Sequence, residues 1–373
     1  MDFFDIIRRN LCHRPVRSLL TASGVGIAVA FSVATLGISS GFKKTFVDGY
    51  ATLGTHMIVS RVSRDSPLPK PFDEAIGAKI AQLPHVEAVS GMFWDFMMVE
   101  GGASRVVFGW ERNSFRWKYL PLCGGHLDES AKDVAYVGVL AAASLDKKPK
   151  DTIEIEGEVF RIAGIFEKQS PVDNSALILP LDSMQRMLEQ PDKINFLNIR
   201  LAPKTTPADF EELRTTIQTK YRGMRACRAD ELFSESVGAR AALAMSLGIS
   251  VLAMGIGTLG VMNSVLMSVS ERRQEIGTLI ALGWQGHRVV IMILAESVIL
   301  CLFGAVVGAT AAVCAVTLLE NVGPLSGKIA GSFSASLILS VITAASFFGL
   351  IAGIIPALKA IHLLPSDALR QNS

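Results

Sequence analysis

Four stretches of this chain are too long and too apolar to fold in water. Residues 19–41 carry no charged side chain, 241–270 carry none across thirty residues, 289–319 carry one, Glu296, and 329–358 carry none. A run of about 18 or more such residues reads as a helix spanning a bilayer, because hydrocarbon offers the backbone no partner and a helix satisfies its own N–H and C=O groups. The last three runs exceed the roughly 20 residues a bilayer requires, so tilt or helix beyond the lipid is expected. The remaining sequence is a different material. Residues 42–240 hold 26 of the 36 Lys and Arg and 27 of the 34 Asp and Glu. That division excludes a single water-soluble globule and a disordered chain. A formal net charge of +2 leaves no footprint of a nucleic-acid binder.

Arg8, Arg9, Arg14 and Arg17 precede the first run as they would precede a secretory signal peptide. The run is too long for a signal h-region and no convincing small-residue cleavage site closes it, so a retained helix is expected. Orientation follows from Lys and Arg near the spans. The arm has those four, the segment between the second and third runs has Arg272, Arg273 and Arg288, the tail has Lys359 and Arg370, and the loop between the third and fourth runs has Lys328 alone. Both termini and residues 271–288 are therefore expected in the cytoplasm, with 42–240 outside. In the arm, 1–18, Phe3, Phe4, Ile7 and Leu11 share one helical face, as in an interfacial helix lying on lipid; a frayed basic arm is the alternative. The expected order is arm 1–18, span 19–41, outer domain 42–240, span 241–270, cytoplasmic loop or helix 271–288, span 289–319, outer loop 320–328, span 329–358 and tail 359–373.

The outer segment reads as α/β or α+β, inserted between helices one and two of a four-helix membrane protein. Runs at 57–61, 86–90, 106–109, 152–155, 159–165, 176–179 and 197–201 are rich in Val, Ile and Phe, as strands are. Glu156 and Gly157 mark a hairpin turn, and helical patterns lie at 73–83, 182–188 and 208–221. Phe42, Phe46 and Tyr50 continue the helical period of the first span, and Leu232, Phe233, Val237 and Ala241 do the same on the return. Two unbroken helices leaving and re-entering the bilayer would form a stalk. A second lobe is expected as an insertion at about 92–190.

Most candidate chemistry fails on context. Gly37 to Gly41 matches G-x-S-x-G, but the nucleophile elbow needs a strand before and a helix after, whereas small residues at the end of a membrane helix serve packing. The stretch Gly-Pro-Leu-Ser-Gly-Lys at 323–328 is one residue short of a P-loop. Six histidines are scattered without a paired spacing, so no metal site and no catalytic residue is expected. Cys123 and Cys227 both fall in the outer segment; they pair in an oxidising space or stand as two free buried thiols, the second being expected. Glu296, the one charge inside a span, is either structurally paired, with interfacial water or Arg288 in reach, or part of a proton or ion path. Gly304 with Gly308, and Gly349 with Gly353, allow close helix contact in a bundle or a dimer.

One loop is more specific. It reads Glu271-Arg272-Arg273, Glu275-Ile276-Gly277 and Ala281-Leu282-Gly283. This resembles the cytoplasmic loop of the MacB/FtsX-type permeases of ABC transporters. The resemblance extends through Ala295-Glu296-Ser297 and Ile355-Pro356-Ala357 to Pro365-Ser366-Asp367-Ala368-Leu369-Arg370. In the outer segment Leu53-Gly54-Thr55, Leu83-Pro84-His85-Val86 and Leu179-Pro180-Leu181-Asp182 are similar to that family's periplasmic core domain. The residues themselves read as an amphipathic cytoplasmic helix, with charges beside Ile276, Leu279 and Leu282, able to offer an apolar ridge to a partner groove.

The resemblance implies a permease of the bacterial inner membrane that dimerises, with a second copy or a paralogue, and binds a separate cytoplasmic ATPase through Glu271, Arg272, Arg273, Glu275, Ile276, Gly277, Leu282 and Gly283. ATP and Mg would sit on that partner, which is expected on another polypeptide, and no cofactor is expected in this chain. Stalk residues Phe42, Phe46, Phe233 and Val237 would relay motion to the outer domain and drive export or release of a lipoprotein, lipid, peptide or hydrophobic drug. A periplasmic adaptor is a further candidate partner. The rival reading is a membrane sensor or scaffold, FtsX-like, that regulates an envelope enzyme without transport.

Overall fold

The computed structural model describes residues 15–61, 69–125, 133–168, 170–321 and 331–361. Phe3, Phe4, Ile7, Leu11, the 323–328 stretch and the 362–373 tail lie outside them, as do the side chains of Val237 and Leu279. The chain divides into two compact units, residues 42–241 and the apolar helices with their connection.

In chain order, helix α1 is Pro15–Thr52, followed by strands β1 Met57–Arg61 and β2 Phe72–Asp73, helix α2 Ala75–Ile80, and strands β3 Val86–Val99 and β4 Ala103–Trp110. A 3-10 turn at Phe115–Tyr119 leads to β5 Leu122–Gly125, β6 Val134–Gly138, α3 Val139–Leu145, β7 Thr152–Ile155 and β8 Glu158–Phe166. Then come α4 Pro171–Asn174, β9 Leu177–Pro180, α5 Leu181–Met187, β10 Lys193–Ile194, β11 Phe196–Leu201, α6 Pro207–Lys220, β12 Met224–Cys227 and α7 Ala229–Glu235. The chain ends in α8 Val237–Glu271, α9 Arg273–Ala281, α10 Gly286–Asn321 and α11 Ala335–Ile361.

Among the described residues four helices, α1, α8, α10 and α11, are long and apolar enough to cross a membrane. Their glycines act within the chain. A Cβ on Gly308 would stand 2.1 Å from the Gly26 carbonyl oxygen, and one on Gly304 would stand 2.5 Å from that of Ala22, so α10 lies backbone-close against α1. Gly349 and Gly353 of α11 leave room for Cys301 and Ser297 of α10 in the same way. Small residues permit this approach where lipid supplies no hydrophobic drive between helices. Gly37 belongs to this packing too. It lies in mid-helix with the Phe333 ring against it, so the G-x-S-x-G match has no strand-to-helix turn.

The intervening domain is built on one mixed sheet, in the order β12-β1-β11-β3-β4-β9-β6-β8-β5, with β7 paired to β8 and to the end of β3. Most pairs are antiparallel; β4–β9 and β6–β8 are parallel. Each expected strand is present. The β7–β8 hairpin turns at Glu156 and Gly157, whose φ values of +50° and +83° supply the positive pair a type I′ turn requires. The insertion expected at 92–190 is corrected in one respect. Its strands gather on one side of the sheet, but β3 runs unbroken through residue 92 and pairs with β11 on one flank and β4 on the other, so the sheet crosses the expected boundary. Helix α6 carries a capping box, Thr206 with Asp209, and buries Phe210, Leu213 and Ile217 on a core shared with Met57, Val59 and Leu197.

Candidate functional site: the segment joining the second and third apolar helices

Helix α8 ends at Glu271, Arg272 leaves the helical conformation at φ −101° and ψ 20°, and α9 begins at Arg273. Arg272 thus sits at the corner, with its carbonyl accepting from the Ile276 N–H. Its guanidinium reaches α10, where Nη2 donates to the Glu296 carboxylate at 2.8 Å and also contacts the Ser268 hydroxyl. Glu296 is 7% exposed. The expected structural pairing of Glu296 is found, but its partner is Arg272 rather than Arg288. Position 288 follows one turn into α10 itself, whereas the corner before α9 aims Arg272 across the helix gap.

Helix α9 has two unlike sides. Ile276 is 3% exposed and packs with Val269, Val289, Ile293, Ala357 and Ala360, and Gly277 is buried beside it. Arg273, Gln274, Glu275 and Thr278 are exposed, and Leu282 is 77% exposed. Gly283 closes the helix at φ +93°, a left-handed conformation that glycine adopts without a Cβ penalty. Of the eight residues expected to meet a partner, Arg272, Ile276 and Gly277 therefore hold the segment to its own helices. Glu271, Arg273, Glu275, Leu282 and Gly283 remain on its outer side.

The stalk residues are partly reunited. The Phe233 ring lies 5.7 Å from Phe42 and 5.2 Å from Phe46, and Phe46 lies 5.1 Å from Tyr50. The return limb, however, is two helices and not one. Ser236 is extended at φ −60° and ψ 139°, and its hydroxyl accepts from the Ala239 N–H as an N-cap. Val237 is therefore the first residue of α8, and the expectation of a helix continuous through 230–240 is overturned. Serine competes for backbone donors in this way, which the apolar period around it conceals.

Cys123 and Cys227 are both free thiols; Cys227 is buried, but Cys123 is exposed, against the expectation of two buried ones. Burial pushes the Cys227 thiol up to about 11. One cluster escaped the sequence entirely. Arg116 is 4% exposed, its guanidinium 4.3 Å from the Trp110 ring, and Lys168 reaches the same ring from 5.5 Å while pairing with Asp173 at 3.5 Å. Burial pushes the Arg116 guanidinium down to about 10 and lowers the Lys168 ammonium. The aromatic neighbours Phe115 and Trp117 were the one available hint.

Comparison with known proteins places these features. Residues 18–216 match the MacB-like periplasmic core domain, and residues 247–365 match the FtsX-like permease C-terminal region. MacB of Agrobacterium fabrum, a macrolide export ATP-binding/permease protein, is 26% identical over 394 residues, covering 96% of this chain and 58% of that protein. This chain thus spans little more than half the length of that relative. An uncharacterized ABC transporter permease of Methanocaldococcus jannaschii is 22% identical over 400 residues, covering 99% of this chain and 98% of that one. The crystal structure of the periplasmic region of MacB from Actinobacillus actinomycetemcomitans is 14% identical, covers 50% of this chain and 95% of that one, and superposes with a TM-score of 0.41. With a core-domain match over more than half of its length and the permease region after it, the chain belongs to the MacB/FtsX-type family of ABC transporter permeases.

Proposed function

We propose that this chain is the membrane subunit of an ABC transporter whose ATPase, a partner polypeptide carrying the ATP and Mg, docks on the 271–283 segment from the cytoplasm. Two copies, or this chain and a paralogue, respond to nucleotide, and residues 42–240 move on the outer side to export or release a cargo. The location is the cytoplasmic membrane of a bacterium, with both termini inside. The long relative that matches this chain carries its ATP-binding part within the same protein, while the archaeal permease that matches end to end is named as a permease alone.

The observation that carries the reading is the two-sidedness of α9. A docking element has to present a surface while its own position is fixed. Here Ile276 and the Arg272–Glu296 pair fix it, while Arg273 and Glu275 offer charge and Leu282 an exposed apolar side chain. The test is Glu275→Lys combined with Leu282→Glu, followed by co-purification with the ATPase and its stimulated hydrolysis. Neither side chain is buried, so the fold and insertion should survive. Recruitment should fall about tenfold or more, which is about 1.4 kcal/mol. Unchanged recruitment and hydrolysis would overturn the assignment.

A further inference from the structure

The domain between the first two apolar helices contains a cavity of about 490 Å³ beside the Arg116–Lys168 cluster. Among the residues lining it are Thr52, Leu53, Leu122, Cys123, Glu167 and Lys168. Its volume falls in the range of small-molecule sites, and its wall has their usual character, mainly apolar with a few polar groups.

The cluster behind that wall is short of acceptors. Lys168, its side chain 8% exposed, and Arg116 are two buried cations. Among the described residues Asp173 is the one carboxylate paired with either of them. Asp173 also adjoins the cavity, since a Cβ on the lining residue Gly49 would stand 3.2 Å from its Oδ2. Two buried donors, Arg116 Nε and Trp110 Nε1, have no acceptor among the described residues. The rings of Trp110, Tyr50 and Phe166 supply cation–π attraction, which is weaker than an anion's. A buried cation without full compensation favours any anion that can reach it. Lys168 is the member of the cluster that both lines the cavity and touches Asp173. Glu167, the opposing carboxylate on the wall, is exposed to water, where its charge is screened.

We propose that this cavity binds a small amphiphile with one anionic head, the head resting on the Lys168 ammonium and the apolar body against Leu53 and Leu122. Carboxylate and phosphate share this chemistry, and Arg116 strengthens the field behind Lys168 without touching the ligand. The lining residues all belong to the 42–241 unit, and the proposal does not rest on the ATPase partnership.

Cys123, exposed on the same wall, gives a direct readout. The full chain in phosphatidylcholine nanodiscs is treated with an impermeant maleimide, and alkylation of the Cys123 peptide is followed by mass spectrometry. Decanoate, decyl phosphate and uncharged decanol are the probes, and a second set of nanodiscs contains phosphatidylglycerol. Decanoate and decyl phosphate should protect Cys123 saturably, decanol about tenfold less well. Protection by phosphatidylglycerol discs without added probe would identify a membrane lipid as the source of the head group; protection by the soluble probes alone would identify a free amphiphile. Lys168→Met should remove the protection. Thr52→Glu, at an exposed wall position, should weaken it about tenfold even where Lys168→Met fails to fold. Equal protection by decanol, no protection at all, or undiminished protection in Thr52→Glu would overturn the proposal.

Discussion

Arg272 and Glu296, 24 residues apart in sequence, form an ion pair at 2.8 Å that joins the corner before α9 to the side of α10. Both side chains are largely removed from solvent. A pair in such surroundings contributes little net stability over an apolar replacement, but either partner alone becomes a buried, uncompensated charge. The pair therefore acts as a positioning device. It sets where α9 begins, and with Ile276 it fixes which side of α9 faces outward.

Arg272→Ala or Glu296→Ala alone should each lower stability by about 3–5 kcal/mol, and Arg272→Met with Glu296→Leu should recover most of the loss. Thermal unfolding of the four proteins in nanodiscs measures the coupling. Additive losses in the double variant would show that the two side chains act separately.

The contact of α10 with α1 makes a sharper contrast between two glycines. Gly308→Ala places a Cβ against the Gly26 backbone and should cost about 1–3 kcal/mol or more. Gly255→Ala, in α8 with nothing within 4 Å of the new Cβ, should be neutral or stabilise by about 0.5–1 kcal/mol. Unfolding midpoints for the two variants decide it. Equal effects would mean that helix propensity, not close packing, governs both sites.

In a helix unbroken through 230–240, proline at 237 would break the lever. The N-cap at Ser236 reverses that expectation. Val237 opens α8, where proline's missing N–H is not needed, and extended Ser236 suits the residue before a proline. Val237→Pro should leave stability within about 1 kcal/mol of the parent, while Ala244→Pro, a helix interior site, should cost about 3 kcal/mol. Comparable damage from both would place position 237 inside a continuous helix.

The four apolar helices were legible because the bilayer leaves the backbone so few alternatives. β7 was legible to the residue because Glu156-Gly157 fixes where its hairpin turns. β12 was not. Met224-Arg225-Ala226-Cys227 has no alternating pattern, and it becomes a strand through its pairing with β1. The 92–190 boundary failed because a 14-residue strand, β3, spends its two flanks on different partners, which composition does not record. At the candidate site the sequence singled out the 271–283 segment but did not show which of its residues face inward and which outward. Arg272 and Arg273 are neighbours of one type, and the turn between α8 and α9 alone separates their roles.

Orientation is open to labelling in intact cells with a permeabilised outer barrier, in a background where Cys123 is serine. An impermeant maleimide should modify Thr219→Cys on exposed α6 and spare Gln274→Cys on α9. This follows from the excess of Arg near residues 271–288. The opposite pattern would invert the proposed topology.

The most direct test of nucleotide-driven movement is pulsed EPR on the reconstituted complex with its ATPase, with one spin label at Thr219→Cys in each of two copies of this chain. The distance distribution is recorded without nucleotide and with ATP trapped by vanadate. A shift to a distinct distribution on trapping, lost in the Glu275→Lys, Leu282→Glu variant, is expected. Identical distributions in both states, in a complex shown to bind and hydrolyse ATP, would contradict coupling between the ATPase and the 42–240 domain.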